Sequence, residues 1–487
     1  MSETRYRTQA VVVGTGAGGA VAGAVLAEAG VDTILVERGR FYSTADHAEA
    51  AARGDIASAL RDMYVNGGAT IALGRPPIPI PIGKAVGGST IINSGTCFRA
   101  PPEKVQAWGG PSVDEMAPYF EEVERRIHAE PTPVDRLGRN WDVLKRGCDA
   151  LGIGIKPLVH NIKECQRSGR CAFGCPSGAK QSTDVTFVPD AIAAGAEVLA
   201  EHDVDEVLVA GGKAIGVAGT TPAGRFHIQA DVVVLAMGAL TGPAFMLRHR
   251  LANSSRRVGR GLRIHPGCRV VAEFEEVIDG YIGVPQGAYI DHWADQGIMM
   301  EGIFVPPGPM LASLPGAGFE FKALCALYRR LSAFGLMVAD TKSGRVTVGR
   351  FGAPFLAWYQ LGRADARSLH YGLARLAEIY FAAGAKRVFT SFGPMHVLNG
   401  EDDLARFEGL RAKPPHFELM AFHPLGTCAM GADPAASVVD FSLQTHDVRD
   451  LFIMDASVIP DSLGVNPQLT VMALAMRAAR LLASRLT

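Results

Sequence analysis

The sequence predicts an α/β protein. One part is a parallel sheet with an antiparallel crossover; the other is an α+β unit built on an antiparallel sheet. Three observations predict it. A glycine-rich turn lies between a short apolar strand and a small-residue helix at residues 11–29. A run of short strands between residues 196 and 237 ends in an apolar one. From residue 265 to about 419 the composition shifts to aromatics punctuated by Gly and Pro, and apolar strand and helix patterns then return.

The opening element justifies the first part. Val11-Val12-Val13 reads as a strand, Gly14-Thr15-Gly16-Ala17-Gly18-Gly19 as a tight turn, residues 20–29 as a helix, and Ile34-Leu35-Val36 as a second strand ending in Glu37. Gly14, Gly16 and Gly19 fit the G-x-G-x-x-G pattern of Rossmann-like dinucleotide sites. One glycine turns the chain, one admits the pyrophosphate and one lets helix pack on strand. The helix N-terminus offers unpaired N–H groups and a positive dipole end to phosphates. Glu37 stands where an acid meets the adenosine ribose hydroxyls.

The totals bound the rest. At 487 residues the chain holds two or three cores or one interwoven unit. Lys plus Arg is 48 and Asp plus Glu is 49, which argues against a broad basic face for nucleic acid. Residues 1–9 are polar and lead straight into the first strand, leaving no room for a signal peptide. The apolar stretch 10–31 carries central glycines and Glu28, so it reads as a cofactor turn rather than a transmembrane segment. The expectation is a soluble, cytoplasmic protein, with export alongside a partner subunit as the alternative. Of eight cysteines, Cys97, Cys148, Cys268, Cys325 and Cys428 are scattered, as buried thiols in a reducing compartment are.

Taken in order, residues 38–75 are irregular with an alanine-rich helical piece near 45–60, and the proline-rich run 76–81 reads as an extended surface connection. In Gly83–Gly95, paired glycines followed by Ser89-Thr90 let backbone and side-chain donors approach a flat or anionic ligand. The same residues also read as a plain turn before a strand. Residues 112–152 are helical, with 116–127 amphipathic and 141–150 a second short helix. Cys165, Cys171 and Cys175 then crowd together. Such spacing suits soft-metal or iron–sulfur ligation: a [3Fe–4S] cluster, or zinc with an outside ligand. Free thiols or a disulfide packing a loop fit equally well. A helix at 189–194, strands at 196–200, 204–209, 214–220 and 225–230, and an apolar strand at 231–237 closed by Gly238 follow. In 265–419 the helix 369–383 has apolar residues at helical spacing, and the aromatic content suggests an apolar pocket. The strand 451–454 ends in Asp455-Ala456, and a closing helix spans 469–486.

The glycine-rich start, Gly87-Gly88-Ser89-Thr90 with Asn93, the stretch from Ala421 to Gly431 with His423, and Gly464-Val465-Asn466-Pro467 together resemble the glucose–methanol–choline (GMC) family of FAD-dependent oxidoreductases. The order is kept from residue 11 to about 480. The resemblance implies a cofactor domain returned to at the C-terminus, divided as 1–110, 111–160 (helical connection), 161–264 (Cys-rich loop and second part), 265–419 (substrate domain) and 420–487. It implies FAD contacts at Gly14, Thr15, Gly16, Ala17, Gly18, Gly19, Glu37, Arg38, Gly88, Ser89, Asn93, Val204, Gly238, Asp455, Ala456, Asn466 and Pro467. Ile92 stands where some members carry the histidine that bonds FAD covalently, so non-covalent FAD is implied.

By the same resemblance His423 and Asn466 occupy the paired catalytic positions. A neutral histidine has the basicity to take a hydroxyl proton while hydride moves from carbon to flavin N5. The amide then stabilises the alkoxide-like oxygen. His265, His416 and His446 lack such context and are left out. Residues 340–346, 383–385 and the cysteine stretch look most like the long-chain alcohol oxidase and cholesterol-oxidase-like branch. Bacterial membrane-linked sugar dehydrogenases hold a [3Fe–4S] cluster on similar cysteines, and the C-x5-C-x3-C spacing matches neither branch closely. Three functions follow. The first is an FAD-dependent alcohol oxidoreductase for a lipophilic small-molecule alcohol. The second is a dehydrogenase subunit passing electrons through a Cys165/Cys171/Cys175 cluster to a partner subunit or cytochrome. The third is a non-catalytic flavin electron-transfer subunit.

Overall fold

Strand Ser2–Val13 and strand Gly224–Leu235 run parallel over their whole length, from Ser2 opposite Gly224 to Val13 opposite Leu235. The computed structural model describes residues 2–304, 306–311, 314–350 and 352–487. These two strands centre a seven-stranded sheet in the order 197–199, 33–36, 2–13, 224–235, 213–221, 203–210, with 451–453 also paired to 224–235. The crossover strands 203–210 and 213–221 are antiparallel, as expected.

The expected strands 225–230 and 231–237 are one strand. Its first half alternates exposed and buried residues, while Val232–Leu235 is buried throughout. The sheet has one covered face at one end and two at the other, so the hydrophobic pattern changes without a break in the backbone. Strand 2–13 extends well before Val11, exposed over residues 3–5 and buried over Ala10–Val13.

Helix Ala17–Glu28 begins at the glycine turn itself, earlier than residue 20, and its residues 18–27 are buried. Ala and Gly let it lie close to the sheet: a Cβ on Gly23 would meet the Leu35 side chain at 2.5 Å. Closing helix Gln468–Leu486 packs against it.

A second seven-stranded sheet is antiparallel throughout, in the order 397–398, 387–390, 267–273, 331–338, 298–302, 288–290, 156–157. Helix Arg363–Ala382 buries Leu369, Leu373, Leu376 and Tyr380 in the core behind this sheet. A smaller five-stranded sheet joins 260–262, 344–348, 355–358, 71–73 and 78–79.

Three local expectations are corrected. The alanine-rich piece is two helices, Thr44–Ala52 and Ala57–Met63, the first capped by Ser43 and Asp46. The proline run is not a surface connection: Ile78–Pro79 pairs with Ile71–Leu73, and Ile78 and Ile80 are fully buried. Prolines tolerate such a short edge strand while the isoleucines between them enter the core. After Gly83–Gly95 comes no strand; Gly88–Ile91 is a 3₁₀ turn. No helix among the described residues is long and apolar enough to cross a membrane.

Candidate active site

One cavity of about 430 Å³ runs from the glycine turn to the antiparallel sheet. At the first end the chain leaves strand 2–13 through Gly14. Its φ of +103° and its closeness to Ala236 O, which a Cβ would meet at 2.4 Å, exclude a side chain. A Cβ on Gly18 would lie 1.8 Å from Met454 O, where strand 451–453 arrives. Gly16 and Gly238 differ. A Cβ on Gly16 would meet only Gly88 Cα at 3.9 Å, one on Gly238 would meet nothing within 4 Å, and both residues line the cavity. Helix 17–28 has no side-chain cap and no acid in its first turn. Its leading N–H groups are therefore available to an anion.

Gly14, Gly16, Ala17, Gly18, Glu37 and Arg38 line this end; Thr15 and Gly19 do not. Gly19 packs against Gly14 O and the Ala236 side chain. Thr15 is fully buried and works as a clamp: its N and Oγ1 donate to Glu37 Oε2 (3.1 and 3.0 Å), and its Oγ1 accepts from Gly87 N (3.0 Å). Glu37 Oε1 accepts from Gly39 N (2.9 Å). Burial pushes the Glu37 carboxyl up, and these bonds oppose the rise.

Gly88, Ser89, Ile92 and Asn93 form the next wall. Lys180, buried, fastens it: Nζ donates to Ile91 O (2.7 Å), Asn93 O (2.9 Å) and Cys171 O (2.7 Å), and burial lowers its pKa to about 8. Asn93 Oδ1 accepts from Gly95 N (3.1 Å), and its amide donates to Gln468. Val204, Gly238, Asp455, Ala456, Asn466 and Pro467 complete the long wall. Asp455 ties two strand ends together, accepting from Gly238 N and Ser457 N, each at 2.8 Å. Uncapped donors, open space over Gly16 and Gly238, and a long continuous wall together fit a dinucleotide cofactor.

The other end is chemical. Asn466 Nδ2 lies 3.4 Å from His423 Nε2 and donates to Glu301 Oε2 at 3.3 Å. Gln286 Nε2 donates to the same oxygen (3.1 Å), while Glu301 Oε1 and Asn466 Oδ1 are buried with no protein partner among the described residues. His265 Nδ1 is 3.2 Å from His423 Nδ1, and His265 Nε2 accepts from Leu463 N (3.0 Å) and Gly464 N (3.1 Å). Burial lowers His265 to about 3, with Lys104 and Arg263 adding to it. It also holds His423 well below the usual histidine range, with His265 adding to the effect. Burial raises Glu301 to about 7, opposed by the Asn466 bond. Gly335 stands in register between Glu301 and Arg269 on the neighbouring strands, so no side chain there fills the space both residues line.

His265 and Glu301 belong to this site, and sequence reasoning misses both. They lie 158 residues from His423 and 165 from Asn466, so no local motif links them. The metal reading of Cys165, Cys171 and Cys175 gains no support from the geometry. All three are free thiols, and among the described residues no three His, Cys, Asp or Glu side chains converge to hold a metal. Cys171 opens a 3₁₀ turn whose carbonyl is taken by the buried Lys180 cation, and Cys175 Sγ faces Ser177 Oγ at 3.6 Å.

The description "FAD binding domain" matches residues 7–55, and "GMC oxidoreductase" matches residues 60–267 and again 340–475. An uncharacterised GMC-type oxidoreductase of Mycobacterium tuberculosis is 34% identical over 484 residues, covering 97% of this chain and 75% of the relative. A long-chain-alcohol oxidase of Arabidopsis thaliana is 27% identical over 530 residues, covering 99% of this chain and 69% of the relative. Among solved structures, a pyridoxine 4-oxidase has the same fold, with a TM-score of 0.73 at 19% identity, covering 97% of this chain and 99% of that one.

Proposed function

The chain belongs to the GMC oxidoreductase family, and on that premise we propose that it oxidises a lipophilic alcohol with FAD held non-covalently. The observation that carries the reading is the meeting of His423 and Asn466, 43 residues apart, at the end of the cavity whose opposite end is the glycine turn. Glycines 14, 16 and 18, the open N-terminus of helix 17–28, the Gly88–Asn93 wall and the Asp455–Pro467 segment would hold the cofactor. Bound there, FAD supplies the hydride acceptor. Ile92, buried against that wall, offers no nucleophile for a covalent bond.

The protein's own residues would do the rest. Ile303, Phe304, Leu336, Met337, Met420 and Phe422 line the reacting end and would exclude water from an aliphatic chain. The cluster of His423, Asn466 and Glu301 would orient the alcohol oxygen and receive its proton. The likeness to a long-chain-alcohol oxidase supports a lipophilic substrate.

The test is an absorbance spectrum of the purified protein, followed by anaerobic titration with primary and secondary alcohols of increasing chain length. A flavin released intact by denaturation and bleached by alcohols is expected. Full flavin loading with no bleaching by any alcohol would refute the alcohol reading and leave a non-catalytic flavin electron-transfer subunit. Oxygen consumption when the same alcohols are added in air separates an oxidase from a dehydrogenase that hands electrons to a partner.

A further inference from the structure

We infer that the outer face of the five-stranded sheet docks on a lipid bilayer with anionic headgroups. Ile71, Leu73 and Trp358 enter its apolar layer while Arg260 and Arg345 hold phosphate oxygens. The inference goes beyond the alcohol reading and does not depend on it.

The sheet sorts its residues by the strand period. Val346, Ala357, Ala72 and Ile78 are buried beneath it, and the residues between them turn outward. In register across four strands, Arg260 stands opposite Arg345, Arg345 opposite Trp358 and Trp358 opposite Leu73. All four are exposed, Trp358 at 42% and Leu73 at 38%, with Ile71 on the same face at 44%. Trp108, Trp141 and Trp293, by contrast, are buried. An indole and two aliphatic side chains this open on one sheet face form a patch, not scattered singles.

Charge on that face has one sign. Residues 63–102, 232–272 and 341–364, which supply all five strands, contain no Asp or Glu, in a chain with 49 of them. The acids that flank the last segment, Asp340 and Asp365, are buried and engaged. Asp340 Oδ2 accepts from Ile264 N and Tyr359 OH, each at 3.1 Å. Asp365 Oδ1 accepts from Thr341 N (3.1 Å) and Oγ1 (2.8 Å). Arg260 and Arg345 form no ion pair among the described residues. Like charges directly opposite on neighbouring strands destabilise a sheet, and an external anion between them would offset that cost. The guanidinium fork suits phosphate oxygens.

The order along the row selects the partner. From Arg260 to Leu73 it crosses three strand gaps, about 14 Å at about 4.8 Å each. Over that span it passes from two cations through an indole to an aliphatic side chain. A bilayer has the same order with depth: phosphates, the interfacial layer where Trp collects, then hydrocarbon. A second copy seated by two-fold symmetry would bring one acid-free face against another, with nothing to neutralise the arginines. The aliphatic end also adjoins the cavity mouth. Next to strand Ile71–Leu73 lies Ile78–Pro79, and Pro79 O accepts from Ala421 N (3.0 Å). The adjacent Phe422 is half exposed and lines the cavity together with Pro81 and Ile82.

The test uses the flavin-loaded full chain, no alcohol, and vesicles of phosphatidylcholine alone or with about one-third phosphatidylglycerol. Co-sedimentation should show binding to the anionic vesicles at low salt, weakened at high salt by screening. Tryptophan emission should shift to the blue on binding and be quenched by brominated acyl chains. Trp358→Phe should keep the binding and abolish the shift. Arg345→Gln should weaken binding about 5-fold, and Leu73→Gln about 10-fold. Absence of binding to anionic vesicles at low salt overturns the inference, as does full binding by the Arg345→Gln/Leu73→Gln double variant. A wild-type dimer in gel filtration that the double variant dissociates gives the face to a second copy and overturns the lipid assignment. If Leu73→Gln fails to fold, Arg345→Gln and the wild-type emission shift decide. A flavin inert to alcohols sinks the alcohol reading and leaves these measurements untouched.

Discussion

Replacing Glu301 by Gln should make the protein more stable in alkaline solution than in acid, relative to wild type. The folded chain holds this carboxyl near 7, against 4.5 for an ordinary glutamate, because burial penalises the charge. Between those values the folded state carries a proton that the unfolded chain has released, so stability falls as pH rises through the window. The contribution is intact below 4.5 and lost above about 7. At about 1.36 kcal/mol per pH unit, the loss is about 3 kcal/mol. Gln cannot ionise and does not incur it. The contacts to Gln286 and Asn466 that Gln perturbs do not titrate, so their effect cancels between pH values. An unfolding entropy of about 2.1 cal/mol/K per residue over 487 residues makes about 3 kcal/mol roughly 3 °C. The assay is thermal melting of both proteins at about pH 5 and about pH 8, at one scan rate. Part of the loss has already occurred at pH 5, so the variant's advantage should grow by roughly 2 °C between them; an equal offset at both would show that no buried charge is carried at 301. A variant that gains stability while losing flavin reduction would also mark Glu301 as strained for function.

Other outcomes follow from the same geometry. Gly18→Ala puts a methyl 1.8 Å from Met454 O and should give protein that retains little flavin, read from the absorbance ratio after gel filtration. Lys180→Met leaves the carbonyls of Ile91, Asn93 and Cys171 without their shared donor. At about 1–3 kcal/mol for each buried group left unpaired, it should lower the melting point and loosen the flavin, as denaturant titration will show. Thr15→Val removes the hydroxyl that joins Glu37 to Gly87 and should weaken FAD retention with little change in the alcohol-dependent reduction rate of whatever flavin remains. Serine at Cys165 and Cys175 together should leave the flavin spectrum and bleaching rate unchanged; loss of iron and activity in that double variant would restore a metal at those thiols.

Some of this architecture is readable in one dimension because its causes are local. The glycine turn needs particular φ values and close approaches within a few residues, so Gly14 and Gly18 announce it. The crossover strands are marked off by the Gly211-Gly212 turn, and helix Arg363–Ala382 shows its buried face at helical spacing. His423 and Asn466 stand out through their surrounding motifs.

What the chain alone does not disclose depends on which surfaces are covered and which distant groups meet. Strand 224–235 reads as two because coverage of the sheet changes along it. The prolines at 76–81 read as exposed because nothing nearby reveals that Ile78 enters a core built from residues near 357. Crowded cysteines read as ligands, but ligation requires several donors to converge, and among the described residues no three His, Cys, Asp or Glu side chains do. His265 and Glu301 carry no sign at all. Their importance comes from burial and from hydrogen bonds to residues more than a hundred positions away. Residue identity determines which donors and acceptors exist; folding determines which lone pairs are already taken and which remain for chemistry.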